Sequence, residues 1–482
     1  MRPATTTRPE QREPGSTLDA AALESFRASF RGDLVFPSDE AYECARRVWN
    51  AAIDKRPALI ARCSGAVDVV RAVEFAREHE LLLAARGGGH NVAGHGTCDG
   101  GIVIDLSPMR GLSLDLARRT VRVQAGATWG DVDHETQAFG LATTGGLVST
   151  TGIAGFTLGG GFGWLMRKHG LACDNLLSLE LVTAGGRILR ASADDNADLF
   201  WGLRGGGGNF GIVTSFDFRL HPVGPLVTAG AIFFPSEDAG ELLRFYRDWV
   251  EEAPDELTTV VNLAVAPPAP FLPEKIHGKR VAIVSGCYAG EPEHGANVFR
   301  QLKDFGTPVA DLIGPMPYTE MQKLVDGQWG PCLHNHFKSS WLTRLDDAAI
   351  HTLVGAHEQA ASPETKIQLY HFGGAVARVA ADATAFARRD DPYLLNIAAR
   401  WQDPAETDLH VGWARELHEA MATFATGGVY VNFLGEEGTD RVRAAYGERT
   451  YARLVDLKRS YDPTNLFRVN QNVPPVRADA EP

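Results

Sequence analysis

The 482-residue chain has no C-x-x-C pair among its six cysteines (Cys44, Cys63, Cys98, Cys173, Cys287 and Cys332), so neither a zinc knuckle nor a disulfide framework is expected. No apolar run approaches the roughly 20 residues needed to cross a bilayer, which removes a membrane-spanning role. Basic charge is not in excess: 47 Lys and Arg face 60 Asp and Glu, a net charge of −13. That balance argues against nucleic acid or an anionic membrane as partner, because both need a basic footprint. The first 17 residues are polar, contain three prolines and lack the apolar core of a signal peptide. The expectation is a disordered or loosely attached segment over 1–29, and a cytoplasmic location by default. His334-x-His336 has no carboxylate at ligand spacing, so no metal is expected.

Glycine, by contrast, is abundant and unevenly spread. Of 51 glycines, 28 lie between Arg86 and Gly211. Glycine lets backbone N–H groups approach a ligand with no Cβ in the way, so several runs in one region suggest a backbone-lined cradle for something large and phosphate-bearing. A turn-rich β domain is the plainer reading of any single run.

The runs lie between regular elements. Pro57–Arg62 reads as a strand, Ser64 as the cap of a helix to about Glu80 that buries Val67, Val70, Val73, Phe75 and Ala76, and Leu81–Ala85 as the next strand. Further strands are expected at Gly101–Leu106, Thr120–Ala125, Leu179–Thr183 and Ile212–Leu220, the last half-exposed. Glycine thins from about 225 to 425, where a second domain is expected. Tyr430 opens a strand (Y-V-N-F), followed by a helix ending near Ser460.

Gly206-x-Gly208-x-x-Gly211 matches the dinucleotide fingerprint only on paper. That mechanism needs a strand before the motif and a helix starting inside it. Here the order is reversed, which argues against a nicotinamide dinucleotide site.

Two segments carry the most chemistry, Arg86-GGGHNVAGHG-Thr97 and Gly155–Asn175. A histidine closing a glycine loop after a strand is held against whatever the loop cradles. Cys173 follows another glycine loop. Taken singly, each has an ordinary reading: a loop side chain, and a small buried hydrophobe. Together with I-D-L-S at 104–107, Q-A-G-A-x-W-G-D at 124–131, G-x-x-G-x-x-x-G-G-G-x-G at 152–163, G-L-x-x-D-N at 170–175, G-N-F-G-I-V at 208–213, G-G-A at 373–375 and Y-D-P-x-N-L-F-x-x-N-Q-N at 461–472, they resemble berberine bridge enzyme-like FAD-linked oxidoreductases of the vanillyl-alcohol oxidase/p-cresol methylhydroxylase (PCMH) superfamily across nearly the whole chain.

The resemblance implies an α+β fold. A PCMH-type FAD-binding domain of two α/β subdomains would span 30–222 plus 426–475, and a substrate domain of antiparallel sheet backed by helices would span 223–425. It implies bicovalent FAD, through His90 to the 8α-methyl and Cys173 to C6. Arg86, Gly87, Gly88, Gly89, Asn91, Gly96, Gly146, Gly152, Gly155, Gly159, Gly160, Gly211, Val213, Asn470 and Asn472 would hold the cofactor, with Ile153 bordering the approach of dioxygen. The expected activity is oxidase or dehydrogenase oxidation of a hydroxyl or C–H of a small molecule, such as a carbohydrate or secondary metabolite, by hydride transfer to flavin N5. Dioxygen or another acceptor would regenerate the cofactor, in a monomer or small homo-oligomer. An oxidative cyclase, or a flavin carrier with little turnover, stays open.

Many relatives carry a tyrosine where this chain has Phe433, and phenylalanine cannot accept a proton. Strand alternation would put Tyr430 and Asn432 on one face and Phe433 on the other. On the strand through Gln368-Leu-Tyr-His371, Gln368 and Tyr370 point one way and His371 the other. Tyr370 ranks first as base, with His371 and Tyr430 behind it.

Overall fold

The computed structural model describes residues 19–475. Three principal sheets organise them. The first has four strands in the order Asp33–Val35, Leu59–Arg62, Ile102–Asp105, Leu83–Arg86, with the last three parallel. The second is an antiparallel sheet in the order Leu112–Asp115, Thr120–Gln124, Ile212–Arg219, Leu176–Val182, Ile188–Ser192. The expected half-exposed strand at 212–219 is central here and almost wholly buried. These sheets share one core with the helices Thr439–Tyr446 and Glu448–Tyr461, which return to it from the far end of the chain.

The third sheet is antiparallel and eight-stranded. Its centre runs Leu226–Pro235, Arg280–Tyr288, Leu257–Val265, Lys366–His371, Tyr393–Trp401, His334–Leu342. Strand alternation sorts its residues cleanly. Val261, Leu263, Ile367, Leu369, Leu395 and Ile397 pack under the helices Ala239–Glu251, Asp347–Gln359 and Thr407–Ala420. Val260, Asn262, Lys366, Gln368, Tyr370 and Asn396 face the other way, toward the glycine-rich half.

Four local expectations are corrected. Residues 20–29 are not loosely attached: Ala20–Ser29 is a helix, and its Phe26 stacks on Phe75 at 4.4 Å. Residues 1–18 of that segment lie outside the described residues. The helix Ala66–Glu78 is capped at Gly65, while Ser64 N and Oγ both donate to Asp68. Its buried stripe is Val69, Ala72, Val73, Phe75 and Ala76, and Val67 is 61% exposed. Finally, 431–433 is a 3₁₀ turn rather than a strand. Tyr430 OH accepts from Gly161 N (3.1 Å), and Asn432 Nδ2 donates to Phe156 O (3.1 Å), so contacts to the glycine loop override local β-propensity.

Candidate active site

A cavity of about 400 Å³ lies between the glycine loops and the bare face of the large sheet. The first loop leaves the strand Leu83–Arg86, where Arg86 Nη2 donates to Asp105 Oδ2 (2.8 Å) on the neighbouring strand. With both side chains buried, that pair fixes where the loop begins. Gly88 then crosses Gly152 so closely that a Cβ on either would lie 2.4 or 2.3 Å from the other's nitrogen. Gly89 turns at φ 69°, and His90 follows at the cavity wall.

His90 is held from three sides. Its ring stacks on Trp49 (5.6 Å between centroids), and its two nitrogens lie 3.2 Å from Thr150 Oγ1 and 3.5 Å from Thr151 Oγ1. Desolvation lowers its pKa to about 4, so the imidazole is neutral at pH 7 and keeps a nucleophilic lone pair.

Of the other expected cofactor residues, Gly87, Asn91, Gly96, Gly146, Gly155, Gly211, Val213 and Asn470 line the cavity. A methyl group at Gly155 or Gly208 would meet no protein atom within 4 Å, and Asn470 Oδ1 and His95 Nδ1 are buried without a partner. Open backbone at the glycines fits the phosphates of a large cofactor, and the waiting Asn470 Oδ1, an acceptor, fits one of its hydroxyl or amino donors.

Five expected cofactor residues are not on the wall. Ile153 is fully buried in the core as the first residue of the helix Ile153–Leu158. Gly159 and Gly160 serve packing, since added Cβ atoms there would strike Asn432 Oδ1 at 2.1 Å and Phe386 at 2.6 Å. Asn472 lies behind Asn470 and Gln471, with its Oδ1 buried and unpartnered.

The largest correction concerns Cys173. It is fully buried off the cavity wall, in the cluster that holds Phe162 and Tyr430. Its thiol lies 3.7 Å from Asp174 Oδ1, and Asp174 is clamped by Arg389 through bonds of 2.7 and 2.8 Å. Burial pushes the thiol pKa well up, with the Asp174 carboxylate adding to the shift. Buried and protonated beside Asp174, the sulfur presents no thiolate to the cavity.

On the sheet side, Gln368 and Tyr370 line the cavity as alternation requires, and Asn432 and Tyr430 join them. His371 does not. It points to the opposite face beside Arg167, 3.5 Å from its Nη1, and burial lowers its pKa to about 3. Tyr430 OH is spent on Gly161 N and on Asn432 Nδ2 (2.8 Å). Burial raises the pKa values of both Tyr370 and Tyr430, which keeps them protonated near neutral pH.

Lys366 was missed from the sequence, although it sits two residues before Gln368 and so shares its face. Its side chain donates to Gln328 Oε1 and lies 5.1 Å from the centroid of Trp329, whose ring also lies 4.3 Å from the Arg400 guanidinium. Burial, with Arg400 adding to it, lowers the Lys366 pKa to about 7. Beside it, the register aligns Asn262, Gln368 and Asn396 on three adjacent strands. Gln368 Nε2 donates to Asn262 Oδ1 (2.9 Å), and Asn396 Nδ2 donates to Gln368 Oε1 (3.0 Å).

Beneath Gly146, Gln322 Nε2 donates to Asp133 Oδ2 (2.9 Å) and to Gly146 O (3.3 Å). Complete burial pushes the Asp133 pKa up to about 7. The folded protein therefore keeps a proton that the unfolded chain sheds near pH 4, so this contribution to stability is full below about 4 and lost as pH rises to about 7. Asp133→Asn should melt with wild type at pH 4 and above it at pH 8, measured by calorimetry.

The comparisons place this geometry. Residues 57–192 match a family described as FAD binding domain, and 429–474 match one described as berberine and berberine like. An FAD-linked oxidoreductase of Dictyostelium discoideum is 32% identical over 460 residues, covering 94% of this chain and 97% of that protein. The chain belongs to the berberine bridge enzyme-like FAD-linked oxidoreductases. The (R)-6-hydroxynicotine oxidase of Paenarthrobacter nicotinovorans is also 32% identical, over 93% of this chain and 97% of its own. Among solved structures, 6-hydroxy-D-nicotine oxidase from Arthrobacter nicotinovorans superposes with a TM-score of 0.85 at 29% identity, over 93% and 99% of the two chains. A carbohydrate oxidase from Microdochium nivale gives 0.81 at 26%, over 95% and 100%. The berberine bridge enzyme-like fold is thus the α+β PCMH architecture, and the protein is an FAD-linked oxidoreductase.

Proposed function

We propose that this oxidoreductase carries FAD on a single covalent link, through His90, and oxidises a hydroxyl of a small organic molecule at the bare face of the large sheet. The observation that carries the reading is one cavity with a neutral, immobilised imidazole on its glycine wall and a buried amine on its sheet wall. FAD, when bound, supplies the two-electron acceptor for the substrate hydride.

The chain's own residues supply the rest. Lys366 Nζ takes the hydroxyl proton, because among the sheet-face groups it alone has a pKa near neutrality. Tyr370 is a neutral hydrogen-bonding group that orients the substrate, and the Asn262–Gln368–Asn396 ladder keeps the floor rigid. The aromatic walls keep bulk water from the transfer. A hydroxyl that loses hydride and proton becomes a carbonyl, so simple oxidation is favoured over ring closure.

Anaerobic mixing with a panel of alcohols and sugars tests the reading. At least one should bleach the flavin and yield a carbonyl product, whereas a carrier protein would stay yellow with all of them. The base has a sharper signature. Ammonium cannot accept a proton, so kcat/KM should rise with pH through about 7. Lys366→Met should abolish that limb. Tyr370→Phe should keep it and lose only about 1 kcal/mol, the value of one neutral hydrogen bond.

A further inference from the structure

Two cations share one indole at the sheet wall. The Arg400 guanidinium lies 4.3 Å from the Trp329 ring centroid, and Lys366 Nζ lies 5.1 Å from it. Gln328 holds both, since its main-chain O accepts from Arg400 Nη1 (2.7 Å) and its side-chain Oε1 accepts from Lys366 Nζ. Arg400 Nε donates to Asn335 Oδ1 (2.9 Å), its direct partner on the adjacent strand. Trp329 is itself pinned, because its O accepts from Trp49 Nε1 (2.8 Å). Strand register explains the meeting: Lys366 pairs with Ala398, and Arg400 lies two residues further on the same face.

No anion accompanies them. Arg400 is 0% exposed and Lys366 6%, yet among the described residues neither forms an ion pair, and Arg400 Nη2 has no partner. Glu364, half-buried in the turn before the strand, favours both charged forms without pairing with either. Asp326, on the segment that carries Gln328, is turned to Ser149 N and Oγ. His90, on the glycine wall, is neutral. A buried charge without a counter-charge destabilises the fold, and the two groups meet that differently. The guanidinium stays charged, since burial lowers its pKa only to about 10. An amine can release its proton instead.

From the shared indole and the missing counter-charge, we infer that Arg400 is a positioning residue for Lys366, a fixed charge that keeps the neighbouring amine unprotonated and its lone pair free for the substrate hydroxyl. Arg400, the closer of the two, also draws on the Trp329 π-system that would otherwise stabilise an ammonium. Gln328 needs one N–H from the amine, which the neutral form still supplies. The inference rests on Lys366 being the base proposed above.

Holoenzyme carrying lysine labelled with carbon-13 at Cε is titrated by NMR, and the Lys366 signal is assigned by its loss in Lys366→Met. The wild-type midpoint should lie near 7, against about 10.4 for an ordinary lysine. Arg400→Gln removes the charge and should raise the midpoint by about one pH unit, the scale of one nearby like charge. Arg400→Lys keeps a charge while losing the forked bonds to Gln328 and Asn335, and should show less than about half of that shift. The rising limb of kcat/KM, measured with the panel alcohol that best bleaches the flavin, should move with the midpoint. Flavin absorbance in each variant reports an intact cradle.

A wild-type midpoint at about 10, or one that stays in place in a flavin-replete Arg400→Gln, would overturn the inference. Equal shifts in Arg400→Gln and Arg400→Lys would overturn it too, by assigning the effect to hydrogen bonds rather than charge. The two readings fail separately. A midpoint that rises in Arg400→Gln while no limb of kcat/KM depends on Lys366 would remove the base and leave the Arg400 coupling standing. A limb that vanishes in Lys366→Met yet keeps its place in Arg400→Gln would keep the base and remove the positioning role.

Discussion

His90→Ala protein should lose all flavin on acid precipitation, while wild type and Cys173→Ala should both precipitate yellow and fluoresce in performic acid-free denaturing gels. The expectation follows from the opposed environments of the two side chains. His90 sits on the cavity wall, neutral and oriented by Trp49, Thr150 and Thr151. Cys173 is fully buried, protonated and turned toward Asp174. A His90→Ala protein that stays yellow, and turns colourless only when Cys173→Ala is added, would restore the second link. A wild-type protein that releases its flavin would remove the first.

Asp462→Asn should cost about 3–5 kcal/mol, the range for leaving a buried charge without its partner. Lys458 and Asp462 are both completely buried and 2.8 Å apart. Lys458 Nζ also donates to Asn209 O and Phe467 O, and Asp462 accepts from the backbone of Leu466 and Phe467. The pair thus ties Asn209, Phe467, Asn470 and Gln471, all cavity-lining, to the last helix. The variant should unfold at lower urea and shed non-covalent hold on the cofactor first. Near-UV and flavin circular dichroism recorded along one urea titration check both expectations, and coincident wild-type-like midpoints would refute them.

What the sequence disclosed and what it hid divide on physical lines. Backbone-level features were legible. Glycine clustering pointed to a cradle, and strand alternation correctly placed Gln368 and Tyr370 on one face and His371 on the other. The same rule puts Lys366 on the face of Gln368, two residues on. The rejected Gly206–Gly211 fingerprint was judged correctly as non-Rossmann, with a helix before it and a strand after it. Its Gly208 and Gly211 line the cavity nonetheless.

Features set by tertiary contact were hidden. β-branched and aromatic residues at 429–433 suggest a strand, but hydrogen bonds to the distant 156–161 loop make a 3₁₀ turn. As a result Tyr430 and Phe433 lie on the same side, 5.1 Å apart, rather than on opposite faces. For Cys173, nothing local reveals which way a thiol faces. Its direction depends on Asp174 and on Arg389, 215 residues further along.

The Gly88–Gly152 crossing has a consequence for anyone who would redesign this protein. Two segments 64 positions apart share one point of backbone with no room for a single carbon, so neither can be widened, lengthened or shifted independently. Selection or engineering for a different prosthetic group would have to rebuild both strands of that knot in one step, whereas the opposite wall is open to change one side chain at a time.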